Sequence, residues 1–290
     1  MDRHLLRRRP AAPAAAGSAG PPRPAGAPPA APAPWGDLEA ALGGRLGVTV
    51  LDTATGRHLA RRGGERFPMC STFKWLGAAR ALQLVDAGRD SLERRIPVRP
   101  DDLLEHAPAA RQRVGASMTI AELCAASVAL SDNTAANLLL AAHGGPAGVT
   151  AAARALGDRI TRLDRNEPGL NEARPGDPRD TTTPDAMAGL LQRALVGQGL
   201  SPASRVQLDD WMRGTRTSDA RLRKHLPDGW ALADKTGTGA RGTSNDVGVY
   251  HPPAGRAPIV VAVYITGSTA DAATRDAAIA RIGAEVIAAA

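Results

Sequence analysis

A chain of 290 residues with 43% hydrophobic content is long enough to bury one large core or two smaller ones. Its formal charge is +7, but Arg3, Arg7, Arg8, Arg9 and Arg23 against Asp2 place +4 of that in the first 34 residues. The weakly basic remainder has no Lys/Arg run, and with only 3% aromatic residues in the chain it argues against a nucleic-acid partner; no stretch reaches the roughly 18 apolar residues of a membrane span.

Residues 1–34 are dominated by Pro, Ala and Gly and cannot bury enough apolar surface to offset the entropy of ordering them, so a disordered tail is expected. Arg7-Arg8-Arg9 followed by Ala-rich sequence resembles the basic end of an export signal, including the twin-arginine type. Pro10, Pro13, Pro21 and Pro22 interrupt the apolar stretch of such a signal, which leaves a linker or a misassigned start open as alternatives.

From Trp35 the pattern becomes regular. Residues 37–42 read as a short helix stopped by Gly43-Gly44, residues 46–52 alternate as a strand, and a turn over 53–56 leads to a second strand at 58–61. A helix is expected from Ser71 to about Ala87, ended by Gly88. Thr119-Ile120-Ala121-Glu122 is a capping box that predicts a helix over 120–129; Asp132 caps another reaching toward Gly144, and Thr183-Pro184 opens a third. Strand signals return at 230–236, 246–251 and 259–266, before a closing Ala-rich helix. Strand-rich ends around a helical middle predict one α/β layer built from both termini, with an inserted helical domain. The expected bounds are 35–66 with 214–290 for the α/β domain and 67–213 for the helical one.

Four local patterns carry chemistry. Ser71-Thr72-Phe73-Lys74 puts a serine and a lysine one helical turn apart on the same face. A lysine amine with a lowered pKa can take the serine proton, and the helix N-terminus supplies N–H groups where an oxyanion would form. Ser131-Asp132-Asn133 starts a helix, where a capping aspartate is the ordinary explanation. Lys235-Thr236-Gly237 falls at the end of a predicted strand and reads equally as a polar edge closed by a glycine turn. Glu167-Pro168-Gly169-Leu170-Asn171 lies in a loop over 164–181, and loops of that length in compact domains are more often functional than idle. Each has a bland explanation alone; together, in this order, they do not.

The set resembles class A serine β-lactamases, with their Ser-x-x-Lys, Ser-Asp-Asn and Lys-Thr-Gly motifs. The likeness runs from about residue 38 to the end and includes Phe67-Pro68-Met69-Cys70, the run Asn133-Thr134-Ala135-Ala136-Asn137, and Thr181-Thr182-Thr183-Pro184. It implies the two-domain fold of serine β-lactamases and penicillin-binding proteins, an antiparallel sheet flanked by helices with an inserted all-helical domain. It further implies hydrolysis of penicillins and cephalosporins through an acyl-serine, a β-lactam as sole small-molecule partner, no cofactor or metal, a monomer, and a periplasmic or secreted location.

Site roles follow from the resemblance, residue by residue. Ser71 would be the nucleophile, with the N–H groups of Ser71 and Thr238 holding the oxyanion. Lys74, or Glu167 acting through water, would take the serine proton, a choice disputed for the family. Ser131 would protonate the lactam nitrogen, Lys235 would supply positive charge near it, and Glu167 with Asn171 would drive deacylation. Asn133, Thr236, Gly237 and Thr238 would bind substrate, with Arg221 holding its carboxylate from the side opposite Thr238. Arg165 and Asp180 would close the catalytic loop as an ion pair. His106 stands where the family often has an aromatic rim residue, and Ser244 where it often has an arginine. Gly239 and Ala78 occupy the positions that pair with Cys70 and Cys124 in some members, so two free buried thiols are expected.

Gly237-x-Gly239-x-x-Gly242 matches a dinucleotide glycine pattern, but a strand rather than a helix is predicted after it. The six histidines include no His-Glu-x-x-His, and no Gly-x-Ser-x-Gly elbow occurs. Two alternatives remain: a penicillin-binding D-Ala-D-Ala peptidase and a non-hydrolysing β-lactam sensor. Glu167 and Asn171 argue against both, because each requires a persistent acyl-enzyme.

Overall fold

Gly36–Leu42 (α1) is the first helix of a computed structural model that describes residues 34–253 and 255–290. The Pro/Ala-rich tail up to residue 33, with its expected disorder and its export-signal resemblance, lies outside the described residues. Arg45–Asp52 (β1) and His58–Arg61 (β2) form an antiparallel pair, as the alternation predicted. The chain then leaves the sheet through Phe67–Pro68 (β3) and enters the helical part.

The expected helix from Ser71 begins differently. Cys70–Phe73 form a 3-10 turn, and the α-helix proper starts at Lys74 (α2, Lys74–Asp86). Cys70 takes a left-handed φ of 46°, which breaks the helical run just before the serine. Nine of the 13 residues of α2 are buried, so this helix is apolar nearly all round and must lie inside a bundle. Around it lie a small hairpin, Arg95–Pro97 (β4) with Ser117–Thr119 (β5), and the helices Ile120–Ala129 (α3), Asn133–Ala142 (α4) and Gly145–Ala155 (α5). The capping box holds: Thr119 Oγ1 accepts from the Glu122 amide at 3.1 Å and Glu122 Oε2 accepts from the Thr119 amide at 2.7 Å. Such a cap is worth about 1 kcal/mol.

Thr181–Thr182 (β6) pairs with β3, so the end of the loop over 164–181 is pinned to the segment that leads into Ser71. The period-2 signal of such short strands is too brief to read from sequence. Pro184–Leu191 (α6) and Pro202–Arg213 (α7) complete the helical part; Thr183 caps α6 as expected. Ala231–Gly239 (β7), Thr243–His251 (β8) and Ile259–Thr266 (β9) return to the sheet, and Ala272–Ala288 (α8) closes the chain. The order is β2-β1-β9-β8-β7, antiparallel throughout.

All of β9 is buried, because both faces of the sheet are covered. Val261, Val263 and Ile265 pack with Leu38, Leu42, Ile279 and Ile282 of α1 and α8, while Val260, Ala262 and Tyr264 join Phe67, Met187 and Trp75 on the helical side. One apolar cluster thus runs from α2 into the sheet. Each large side chain buried there contributes about 1.5–3 kcal/mol.

Lys235-Thr236-Gly237 does not end a strand. It lies inside β7, which continues to Gly239, so the expected glycine turn at this point is corrected. A Cβ at Gly237 would stand 2.7 Å from the Met69 carbonyl and 3.1 Å from the Thr72 methyl. Glycine is used here for close approach of β7 to the turn that carries Ser71. After the turn at Arg241-Gly242 comes β8, not a helix, so the glycine pattern forms no dinucleotide site.

Candidate active site

Five segments converge at the mouth between the sheet edge and the helical part. The 3-10 turn before α2 carries Ser71; α2 itself starts with Lys74; the entry to α4 carries Ser131 just before the helix and Asn133 as its first residue; the catalytic loop carries Glu167 and Asn171; and β7 lays Lys235, Thr236, Gly237 and Thr238 along one side. Ser71, His106, Ser131, Asn133, Asn171, Arg221 and Thr236 to Thr238 all line a cavity of about 290 Å³.

Ser71 Oγ donates to Glu167 Oε1 at 3.1 Å, and Lys74 Nζ lies 3.0 Å from the same oxygen. Lys74 also donates to the Ser131 carbonyl at 2.8 Å, to Asn133 Oδ1 at 2.6 Å and to Ser131 Oγ at 3.3 Å. Burial pushes the Lys74 pKa down, while the adjacent Glu167 carboxylate pulls it back up. Lys235 Nζ reaches Ser131 Oγ at 3.1 Å. Its pKa is lowered to about 7, first by burial and then by the nearby charge of Lys74. Ser131 Oγ therefore accepts from two ammonium groups, leaving its own proton free to point into the cavity.

Local structure explains how these groups are held. Ser131 has φ 57°, a left-handed conformation, and Asp132 beside it is fully buried. Asp132 accepts from the amides of Ala135, Ala109 and Ala110, each at 2.9 Å, so it caps α4 and anchors the neighbouring segment as well. The ordinary capping explanation and the site placement are both met by one residue.

The loop is organised around Asp180, whose side chain is 1% exposed. Its carboxylate accepts from the amides of Asp164 and Arg165 at 2.8 and 2.9 Å, and from Arg165 Nε at 2.6 Å. Asn137 on α4 grips Glu167 from behind: its Nδ2 donates to the Glu167 carbonyl at 2.9 Å and its Oδ1 accepts from the Glu167 amide at 3.0 Å. Asn171 Nδ2 donates to Glu167 Oε2 at 2.5 Å, so each carboxylate oxygen has a fixed donor.

Arg221 requires a correction. It does not face Thr238 across the cavity; its Nη2 donates to Thr238 Oγ1 at 2.8 Å, so both lie on the same side. Nη1 donates to the carbonyls of Gly237 and Asn245 at 3.1 and 2.8 Å, and Nε to Asp276 at 2.8 Å. Its guanidinium can reach the carbonyl of Asn245 because β8 runs beside β7 there. His106 is exposed at the rim and its ring meets the Leu130 carbonyl at 3.1 Å.

Sequence reasoning gave no role to Thr217, Asn137 or Asp276. Thr217 Oγ1 lies 2.6 Å from Thr236 Oγ1 and also lines the cavity. It belongs to no motif, so nothing in the sequence marks it. Asn137 stood inside a quoted run, and its position one turn after Asn133 was the available signal. Cys70 and Cys124 are both buried and free, with burial pushing the Cys70 thiol up to about 12.

Comparison with known proteins gives the same direction from three sides. The model of the Beta-lactamase enzyme family matches residues 36–290. Beta-lactamase L2 of Stenotrophomonas maltophilia is 48% identical over 246 residues, covering 85% of this chain and 81% of that protein. Among solved structures, an ancestral class A β-lactamase is 59% identical with a TM-score of 0.85, covering 88% of this chain and 97% of the other. The reconstructed last common ancestor of Gram-negative bacterial class A β-lactamases is 58% identical, also at TM-score 0.85, over 87% of this chain and 96% of that one.

Proposed function

This chain belongs to the class A serine β-lactamases, and from that premise we propose how its own residues carry out hydrolysis of the β-lactam ring. The carrying observation is the shared Glu167 Oε1, which meets Ser71 Oγ at 3.1 Å and Lys74 Nζ at 3.0 Å. Ser71 Oγ attacks the lactam carbonyl as its proton passes to Glu167, and the amides of Ser71 and Thr238 hold the oxyanion. The direct Ser71 to Glu167 contact favours the carboxylate as the acylation base. The lowered pKa of Lys74 supports a second route, in which a neutral amine takes the proton.

As the ring opens, the C–N bond breaks and its electron pair goes to nitrogen, which takes the Ser131 proton. Lys74, within hydrogen-bond distance of Ser131 Oγ, restores it and takes in turn the proton that Glu167 received from Ser71, which frees the carboxylate for deacylation; Lys235 reaches the same hydroxyl. Deacylation is the same chemistry with water as nucleophile. Glu167, oriented by Asn171 and Asn137, accepts the water proton, and Ser71 leaves with a proton returned to it. Arg221, Lys235 and Thr236 supply positive charge and donors for the substrate carboxylate, Asn133 faces the acylamide, and His106 closes the rim.

The substrates in this reading are penicillins and early cephalosporins, acted on by a monomer in the periplasm or outside the cell. Glu167 and Asn171 at the nucleophile disfavour a peptidase or a sensor, whose acyl-enzymes must persist. Among the described residues no helix is long and apolar enough to cross a membrane. Purified protein mixed with a chromogenic cephalosporin tests the reading. Sustained turnover that Ser71→Ala abolishes is expected; one burst without turnover would return the peptidase or sensor assignment.

A further inference from the structure

A second cavity near the site lies on the far side of the catalytic loop. It has a volume of about 540 Å³, against about 290 Å³ for the catalytic cavity, and is lined by six arginines: Arg45, Arg66, Arg165, Arg174, Arg179 and Arg241. They come from two bodies. Arg165, Arg174 and Arg179 belong to the loop that carries Glu167, whereas Arg45 and Arg66 flank the start of the sheet and Arg241 sits in the turn between β7 and β8.

The charge in this cavity is not balanced. Arg165 is committed to Asp180 and Glu172, Arg174 also to Glu172, Arg179 to Asp177 and Arg45 to Glu65. Arg62 takes the other oxygen of Glu65. Among the described residues the Arg66 side chain meets only the Ile160 carbonyl at 3.1 Å and the Thr181 hydroxyl at 3.0 Å, and Arg241 has no carboxylate partner. Six guanidiniums thus face four carboxylates, one of them shared with a seventh arginine. Arg66, Arg174, Arg179 and Arg241 are exposed, so their unused N–H groups are open to a ligand.

A surplus of planar donors on two sides of a concave space suits an anion with several oxygens better than a single small ion. We propose that this cavity binds a small oxyanion carrying two or more phosphate or carboxylate groups, which bridges Arg66 and Arg241 to Arg174 and Arg179. The bridge spans the loop and the end of the sheet, which otherwise meet through backbone bonds such as Ala240 N to the Asn171 carbonyl at 2.9 Å. Occupancy holds the outer face of the catalytic loop against the sheet and protects its amides from exchange. No substrate group takes part, so the site is independent of the β-lactam chemistry.

Titration calorimetry on the full chain at low ionic strength tests this, with inorganic pyrophosphate and citrate as separate probes and sulfate as control. One saturable site is expected for the polyanions at concentrations up to about 10 mM, weakening as sodium chloride is raised. Pyrophosphate binding tighter than citrate identifies phosphate as the preferred group, and the reverse identifies carboxylate. Arg241→Gln and Arg174→Gln should each weaken binding about tenfold, the equivalent of one charge-assisted hydrogen bond. Both variants, with exposed side chains, should turn over cephalosporin at the parent rate without added anion, whereas Arg221→Ala should leave the polyanion affinity unchanged. No saturable heat overturns the proposal; so does binding that Arg221→Ala removes and the two glutamine variants leave intact, since that ligand would sit in the catalytic cavity.

Discussion

Arg221 donates to the hydroxyl of Thr238 at 2.8 Å, and the pair forms a single donor surface on the β7 side of the cavity. Asp276 and two backbone carbonyls fix the guanidinium, so little rotamer entropy is left to lose when a substrate carboxylate arrives. Arg221→Ala should raise KM for penicillins and cephalosporins alike, by roughly tenfold or more for the loss of one charge-assisted contact. Thr238→Ala should lower kcat/KM for cephalosporins more than for penicillins if the Thr238 hydroxyl, exposed on the cavity wall, donates selectively to the cephalosporin carboxylate. Steady-state kinetics on one substrate of each class decides this. An equal loss on both would remove any selective role for the hydroxyl.

Glu167 contacts Ser71 and, in the proposed mechanism, also accepts the proton of the deacylating water, so its removal should slow both half-reactions unequally. In that mechanism Lys74 can still serve as base for acylation, but among the described residues no second carboxylate hydrogen-bonds to Ser71 for deacylation. Glu167→Ala should therefore accumulate a penicilloyl adduct on Ser71 that persists for minutes or longer, whereas Ser71→Ala should form none. Intact-protein mass spectrometry after brief penicillin exposure reads both. Parent-rate turnover by Glu167→Ala would sink the assignment.

Asp180 is buried and accepts from two amides as well as from Arg165, so it holds the loop entrance together more than an isolated ion pair would. Asp180→Asn keeps the size but removes the charge, leaving Arg165 with Glu172 alone. Breaking a buried pair costs about 3 kcal/mol or somewhat more, and Arg165, partly exposed, puts this one at the lower end. A loss of that size lowers Tm by about 6–12 °C in a domain this large. Penicillin turnover should fall while bulkier cephalosporins gain access to the loosened loop. Unchanged Tm and kinetics would show a surface contact of no consequence.

How much of this was legible beforehand differs by residue. Thr119 and Glu122 announced their capping box because both partners are local, three residues apart. The β9 strand and the four catalytic motifs were legible for the same reason, each being a short contiguous pattern. The 3-10 turn at Ser71 was not, since it depends on the left-handed Cys70 and on β7 packing against it from more than 160 residues away. Arg221 could be picked from the sequence as a residue of the cavity wall, but not its side of the cavity, which is set by Asp276 on α8 and by β8. Thr217 carried no signal at all: its contact with Thr236 exists only because the segment after α7 folds back beside β7.

Lys235 makes the pH dependence of activity and stability run in opposite directions. Its pKa falls from 10.5 to about 7, with burial the largest cause and the charge of Lys74 the next. Asp234, Asp246 and Glu167 pull it back up, though burial and Asp234 also raise the Asp246 carboxyl well above the usual range and so weaken its share. The ammonium form, which in the proposed mechanism attracts the substrate carboxylate, is therefore present below about pH 7 and lost as pH rises through that value. The unfolded chain keeps its lysine protonated up to 10.5, so between about 7 and 10.5 it binds more protons than the native state, and this group makes stability rise with pH across that window. The profile of kcat/KM, which reports the free enzyme, should show a basic limb near neutrality, and the limb in kcat should lie higher because bound carboxylate favours the charged form. Lys235→Arg keeps a permanent charge and should erase the limb in kcat/KM while raising KM through its larger head group. Rates measured from about pH 5 to 10 on both proteins provide the check. A limb at the same pH in Lys235→Arg would assign the titration to another group, with Lys74 the next buried amine in line.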